Sequence, residues 1–182
     1  MQSANSAPPI FRLEAVTNPQ IIEQIYRLRV EAWRTNLELP GDVTAWSDRF
    51  DAEGRHWAFF DGDKPIAAGR LTISRDLKSV PDSAVYRDVL PDDLEGPIGA
   101  LTRLVISPAY RGRGLARHLD NVRIGAARSA GCSCVIGWTH EKRRYMQLQT
   151  EGFEVHPSRH AITEESGIVA GLMPNAIVVL RL

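Results

Sequence analysis

The residues best suited to chemistry stand together in one stretch: Arg111, Gly112, Arg113, Gly114, Leu115, Ala116 and Arg117. They follow an apolar run, Leu104, Val105 and Ile106, and a turn marked by Pro108. Gly112 and Gly114 let the backbone approach a ligand with no Cβ in the way. An amphipathic pattern begins directly afterwards, and the first N–H groups of a helix have no partner within it. Those groups and the helix dipole favour an anion. The stretch therefore reads as a cradle for a phosphate or pyrophosphate, with Arg111, Arg113 and Arg117 adding charge at its mouth. The plain alternative is an ordinary strand-to-helix turn with solvated arginines. The stretch is neither common nucleotide loop: a P-loop ends in Lys followed by Ser or Thr, and a dinucleotide loop has three glycines and a later acid.

Two other groups could do chemistry. Asp48 and Asp51 could share a metal, but no His or further carboxylate stands at ligand spacing, so no metal is expected. Cys132 and Cys134, the only cysteines, would face one side of a strand and make a poor disulfide pair. No further Cys or His completes a zinc site. They read as two small buried apolar residues in a reducing cytoplasm.

The elements that position the cradle are legible in outline. Asn18-Pro19 starts a helix, and Ile21, Ile25, Leu28 and Ala32 continue it over 19–36. Pro40-Gly41 closes the loop that follows. Strands at 56–60 and 65–73 flank the turn Asp61-Gly62-Asp63-Lys64 as an antiparallel hairpin. Residues 75–98, with Pro81, Pro91 and Pro97, read as loop with at most a short helix near 84–90. A central strand at 99–107 leads through the cradle to a helix at 114–130, stopped by Gly131. A strand at 132–138, a helix at 140–151, a short strand at 153–156, an irregular stretch at 157–174 and a final strand at 175–182 complete the chain. Strand 99–107, helix 114–130 and strand 132–138 form a parallel crossover among antiparallel hairpins, an α+β layer arrangement.

The 182 residues suffice for one domain with a substantial core. With 22 basic and 22 acidic residues, nothing global points to nucleic acid or a membrane surface. No apolar run approaches the roughly 20 residues of a membrane-spanning helix. Met1 to Pro9 is polar and proline-bearing, unlike a signal peptide. A flexible tail over 1–10, a single domain over 11–182 and a cytoplasmic location are expected.

The stretch Arg111–Ala116 resembles the coenzyme A loop of the GNAT superfamily of N-acetyltransferases, Arg/Gln-x-x-Gly-x-Gly/Ala, with Gly114 and Ala116 in the two small-residue places. Leu104-Val105-Ile106-x-Pro108 and Gly152-Phe153 also fit that family. The resemblance implies a mixed, mostly antiparallel sheet with splayed central strands flanked by helices. It implies an acyl-CoA-dependent N-acyltransferase, with acetyl-CoA or another acyl-CoA as co-substrate and a small-molecule amine or amino-acid-like acceptor. The cofactor would rest on Leu104, Val105 and Ile106 and on residues 111–117, its pantetheine arm bonding to the backbone at Leu104 and Ile106.

Acetyl transfer needs a neutral amine, yet a lysine-type amine with pKa about 10.4 is only ~10⁻³ neutral at pH 7. Many members of the family place a Glu on the central strand and a Tyr in the last helix. Here those positions hold Ala100 and Leu148. Tyr145, one turn before Leu148, is the candidate proton donor to the leaving thiolate. His140, Glu141 and His56 are candidate bases. Positioning alone can supply ~7–11 kcal/mol against the ~10²–10⁴-fold of a general acid or base.

The N-terminal half also resembles the acyl-homoserine lactone and N-acyl amino acid synthases. Arg29, Trp33, Asp48, Asp51, Arg70 and Arg103 match a charged cluster that lines the acceptor side in those enzymes. A structural Arg/Asp network tying the first helix to the sheet is the alternative. Three functional readings thus stand: an acetyltransferase, a long-chain acyltransferase of the synthase type, and a catalytically silent coenzyme A-binding module. The final strand could pair across a homodimer.

Overall fold

A computed structural model describes residues 11–34, 39, 41–90, 96–162 and 168–182. The expected tail over 1–10 and the turn residues Pro40 and Pro91 lie outside these.

Seven strands form one sheet: β1 (Arg12–Val16), β2 (Arg55–Asp61), β3 (Lys64–Ser74), β4 (Ile98–Ile106), β5 (Cys134–Thr139), β6 (Glu154–His156) and β7 (Ala176–Arg181). Their order is β1-β2-β3-β4-β5-β7-β6. Only β4 and β5 run parallel. The helices are α1 (Pro19–Trp33), α2 (Leu115–Ser129) and α3 (Lys142–Thr150). The mixed, mostly antiparallel α+β sheet with flanking helices is the architecture expected from the sequence.

The two faces of the sheet bury different helices. On one face, Ile25, Leu28 and Ala32 of α1 pack on Ala58, Ala68 and Val105. The same side carries the core of Trp46, Tyr86, Ala100, Ile136 and Val179. On the other, Ile124 and Ala127 of α2 and Leu148 of α3 meet Leu71, Val135 and Val178. Alternation along β5 and β7 sends successive residues to opposite layers, as the strand period requires.

Asn18 caps α1 by accepting from the Gln20 amide at 2.9 Å, and Pro19 occupies the first turn. The helix ends at Trp33, short of the expected residue 36; residues 35–38 lie outside the described set. β1 has no counterpart in the sequence reading. It is an edge strand with one buried residue, Val16, so it lacks the alternation that would reveal it. Residues 75–90 hold two short 3₁₀ turns, Leu77–Ser79 and Ser83–Tyr86.

The cysteines do not share a face. The strand starts at Cys134, and Cys132 lies just past the end of α2, its amide donating back to the Ala127 carbonyl at 3.1 Å. Cys132 packs with α2, whereas Cys134 packs with the opposite core; both are free thiols. α3 begins at Lys142, later than expected. The Thr139 hydroxyl accepts from the Glu141 amide at 3.1 Å, so His140 and Glu141 form the turn into the helix.

Candidate active site

β4 and β5 pair at only three positions, Ile98 with Cys134, Gly99 with Val135 and Ala100 with Ile136. Beyond them the strands part. At the apex, a Cβ on Gly137 would lie 3.2 Å from the Leu101 carbonyl oxygen. The fork opens into a cleft of about 610 Å³, walled by β4 from Leu101 to Ile106, β5 from Gly137, the first turn of α2, one side of α3 and the end of α1.

At one end the cleft meets α2. Gly114 precedes this helix at φ +77° and Gly112 has the same φ, so both need a residue without Cβ. No side chain caps α2, and its first turn carries no acid. Its free amide nitrogens and dipole are thus left for an anion. Of the residues assigned to the cofactor from sequence, Leu104, Val105, Ile106, Arg111, Gly112, Gly114, Leu115, Ala116 and Arg117 line the cleft. Arg113 does not: its guanidinium lies over the rings of Phe11 and Tyr110. Arg111 is also a strap, donating to the Ala32 carbonyl at 2.9 Å and the Ile106 carbonyl at 3.3 Å.

The middle of the cleft is shaped by a bulge. Ala68 pairs with Val105 and Arg70 with Thr102, so Arg103 and Leu104 together oppose Gly69. Arg103 adopts φ +54°, a strained conformation of the kind that clusters at functional sites. The bulge lets consecutive residues reach one network: Thr102 accepts from Arg70 at 3.0 Å, and Arg103 donates to Asp48 at 2.8 Å. Arg70 also donates to Asp48 at 2.6 Å and to Asp51 at 2.7 Å, and Arg29 grips both Asp51 oxygens at 2.8 Å. Asp48 and Asp51 further cap the turn between them, the Phe50 and Asp48 amides donating to their carboxylates at 2.9 Å. Burial alone would raise both carboxyls, but the Arg103 and Arg70 charges beside Asp48, and Arg29 and Arg70 beside Asp51, hold both below the usual range.

The six residues assigned to the acceptor side therefore divide. Trp33 and Arg103 line the cleft, whereas Arg29, Asp48, Asp51 and Arg70 close on one another behind it. Both carboxylates are occupied by arginines, and among the described residues no group of three metal-ligating side chains exists.

The other end of the cleft is aromatic. Trp33 stands edge-on to Trp46 and Trp138, with centroids 5.6 and 6.4 Å apart, and against the His140 ring at 4.9 Å. All four line the cleft. The Trp138 indole donates to buried Asp82 at 2.9 Å, and Arg103 lies 4.3 Å over the Trp46 ring. His140 Nε2 is buried and makes no hydrogen bond. Burial pushes its pKa below the usual histidine value, against the opposing pull of Glu141. Glu141 shares the wall. Tyr145 packs in the core beside Leu148 and Phe153, outside the cleft wall. His56 is buried behind the Arg/Asp network, its Nε2 3.2 Å from the Asp51 carbonyl.

Several wall residues escaped the sequence reading. Asp120 on α2 is buried and bonds Arg123 at 2.7 Å and, across the cleft, Arg144 on α3. Arg123 also donates to the Arg70 and Thr102 carbonyls at 3.1 and 3.3 Å, beside the bulge. Gly69 makes room for it, since a Cβ there would sit 2.9 Å from Cζ. Asp120 and Arg123, three apart on a helix, were the available signal. Trp46 and Trp138 gave none, because an indole in a loop or strand reads as core.

The fold is shared with known proteins. The fold is similar to FeeM, an N-acyl amino acid synthase from uncultured soil microbes, at TM-score 0.69 and 10% identity over 96% of this chain and 92% of that one. It is similar to a Drosophila melanogaster polyamine N-acetyltransferase that forms N-acetylagmatine, at 0.67 and 13% over 95% and 100%. Arabidopsis thaliana NAA60 in complex with acetyl-CoA matches at 0.61 and 16% over 95% and 99%. No curated protein matches the chain in sequence. The profile of the acetyltransferase (GNAT) family matches residues 22–171, spanning the bulged strand, the glycine loop and the fork, and the chain belongs to that family.

Proposed function

We propose that the protein is an acyl-CoA-dependent N-acyltransferase, most simply an N-acetyltransferase, working through a ternary complex of thioester and amine. The observation that carries this is the fork: β4 and β5 part directly beside an uncapped helix N-terminus. In this reading the diphosphate rests on the amides of residues 112–116 with Arg117 at the rim. The pantetheine arm then pairs with β4 peptide groups that β5 has left without partners. A backbone N–H near Ile106 polarises the thioester carbonyl.

The amine attacks the carbonyl carbon, the C–S bond breaks, and the coenzyme leaves as a thiolate. One proton must pass from the amine to that sulfur. His140 carries it: the residue lines the cleft, its Nε2 is buried without a hydrogen-bond partner, and burial keeps the ring neutral near pH 7. Glu141 modulates His140 by charge, and Tyr145 supports the wall from behind.

Calorimetry with acetyl-CoA tests the reading. Wild-type protein should bind, and Gly114→Trp, which fills the mouth of the cradle, should weaken binding by about tenfold or more. Absence of binding by wild type, or unchanged binding by the variant, removes it. A long-chain acyl reading, as in an N-acyl amino acid or acyl-homoserine lactone synthase, draws support from the FeeM likeness and from Trp33 and Arg103, the two members of that cluster that line the cleft. Comparing acetyl-CoA with dodecanoyl-CoA as donors separates the two. Binding without turnover on any amine would favour a silent module.

A further inference from the structure

Asp82 is a fully buried acid that the mechanism above does not use. It stands in the segment between β3 and β4, outside the cleft wall. A carboxylate so placed is costly unless other groups receive it. Its own turn does not. Asp82 precedes the 3₁₀ turn Ser83–Tyr86, where an acid commonly caps the first amides, yet its side chain makes no such bond. The carboxylate serves two residues of the cleft wall instead. Its Oδ2 accepts from the Trp138 indole at 2.9 Å, and its charge favours the charged form of Arg103 against the effect of burial.

The backbone is set for this arrangement. Asp82, at φ +58°, and Arg103, at φ +54°, are the two non-glycine residues with positive φ among the described residues. Strain of this kind clusters at functional sites, and here the two strained residues act on each other's charge. Trp138 needs a hold of its own. It follows Gly137, past Ile136, the last β5 residue paired with β4, so no β4 residue pairs beside it. Pairing with Ile177 of β7 fixes its backbone but not the plane of its indole. The bond from Nε1 to Asp82 fixes that plane. Trp138 stands edge-on to Trp33, so an indole that turned would reshape the aromatic wall.

We infer that Asp82 is a positioning residue for the acceptor side: through the Trp138 indole and the charge of Arg103, it sets the wall that the amine meets. Naming that wall the acceptor side rests on the acyltransferase reading above. Asp82→Gly and Asp82→Asn separate the carboxylate from the backbone. Glycine keeps the left-handed conformation and removes the acceptor oxygens. Asparagine tolerates that conformation and keeps one acceptor oxygen for the indole. In a nitrogen–proton correlation spectrum, the Trp138 indole signal is identified by its loss in Trp138→Phe. Expected in Asp82→Gly are an upfield shift of that proton and faster exchange with solvent, and in Asp82→Asn a smaller change. With agmatine or tyramine as the amine, Asp82→Gly should raise KM about fivefold or more, the factor one such hydrogen bond is worth, with the acetyl-CoA Kd unchanged. Asp82→Asn should recover most of that loss. An unmoved Trp138 signal in folded Asp82→Gly overturns the inference, and so does a wild-type KM. A carboxylate that only tied its segment to β5 would lower the urea midpoint and leave KM alone. Should Asp82→Gly not fold, the indole signal of Asp82→Asn carries the test, and an unmoved signal there overturns the inference. Wild type that neither binds acetyl-CoA nor acetylates either amine counts against the acyltransferase reading, while the indole signal still decides whether Asp82 holds Trp138.

Discussion

In the proposed mechanism, the proton transfer concentrates on His140. Its Nε2 is buried in the wall of the cleft without a hydrogen bond, and burial lowers its pKa below the ordinary histidine value of about 6.5. A group that acts as a base when neutral loses its effect as pH falls through its own pKa. The His140-dependent part of kcat should therefore be level around pH 7 and fall only below pH ~6.5. His140→Ala should lower kcat by about 10²-fold and remove that acid limb, leaving the acetyl-CoA Kd unchanged. A pH–rate profile of the two proteins checks this; an identical acid limb in both would assign the proton to another group. His140 was nameable from sequence because histidine is the usual carrier of protons near neutrality. Its placement was not, since the expected helix from residue 140 would have turned it differently from the capped turn that forms.

At the scale of elements, the bulge in β4 governs the site. It turns Thr102 and Arg103 to the same network and sets Gly69 opposite two residues, with Arg123 filling the space a side chain would take. Gly69→Ala should force the Arg123 guanidinium away from the Thr102 and Arg70 carbonyls. A loss of roughly 1–3 kcal/mol in urea unfolding is the expected result, the usual cost of overpacking. A variant as stable as wild type would mean that Arg123 moves freely. In the sequence, Ala67-Ala68-Gly69 is a run of small residues, which does not say which side chain needs the space. The bulge itself was invisible, because an extra residue in one strand shows only against its partner. The helices and the hairpin were legible through capping and period, whereas β1, nearly all exposed, offered no pattern.

The Arg/Asp network ties the molecule together across elements distant in the chain. Arg29 comes from α1, Asp48 and Asp51 from the turn before β2, Arg70 from β3 and Arg103 from β4. The sequence supplied these residues together, on a resemblance, as an acceptor wall; their mutual geometry makes most of them a buried clamp. Removing one partner leaves the others charged and buried, so Asp51→Asn should cost roughly 3–5 kcal/mol in urea denaturation. The pH dependence follows from depressed carboxyl values in the folded state. The stabilisation is present above the unfolded value of about 3.9 and is lost as pH falls toward and through the folded values. Wild type should therefore lose stability steeply below pH ~4, and Asp51→Asn less steeply. Parallel acid-unfolding curves would contradict this.

The fork begins at a position with no side chain to hold it open. At Gly137 the strand backbone stops just short of the Leu101 carbonyl. A single methyl there would sit 3.2 Å from that oxygen, so the strands would have to give by about a few tenths of an ångström at the point where they part. In the proposed enzyme, the depth open to a donor's thiol end is thus set at a residue that carries no side chain.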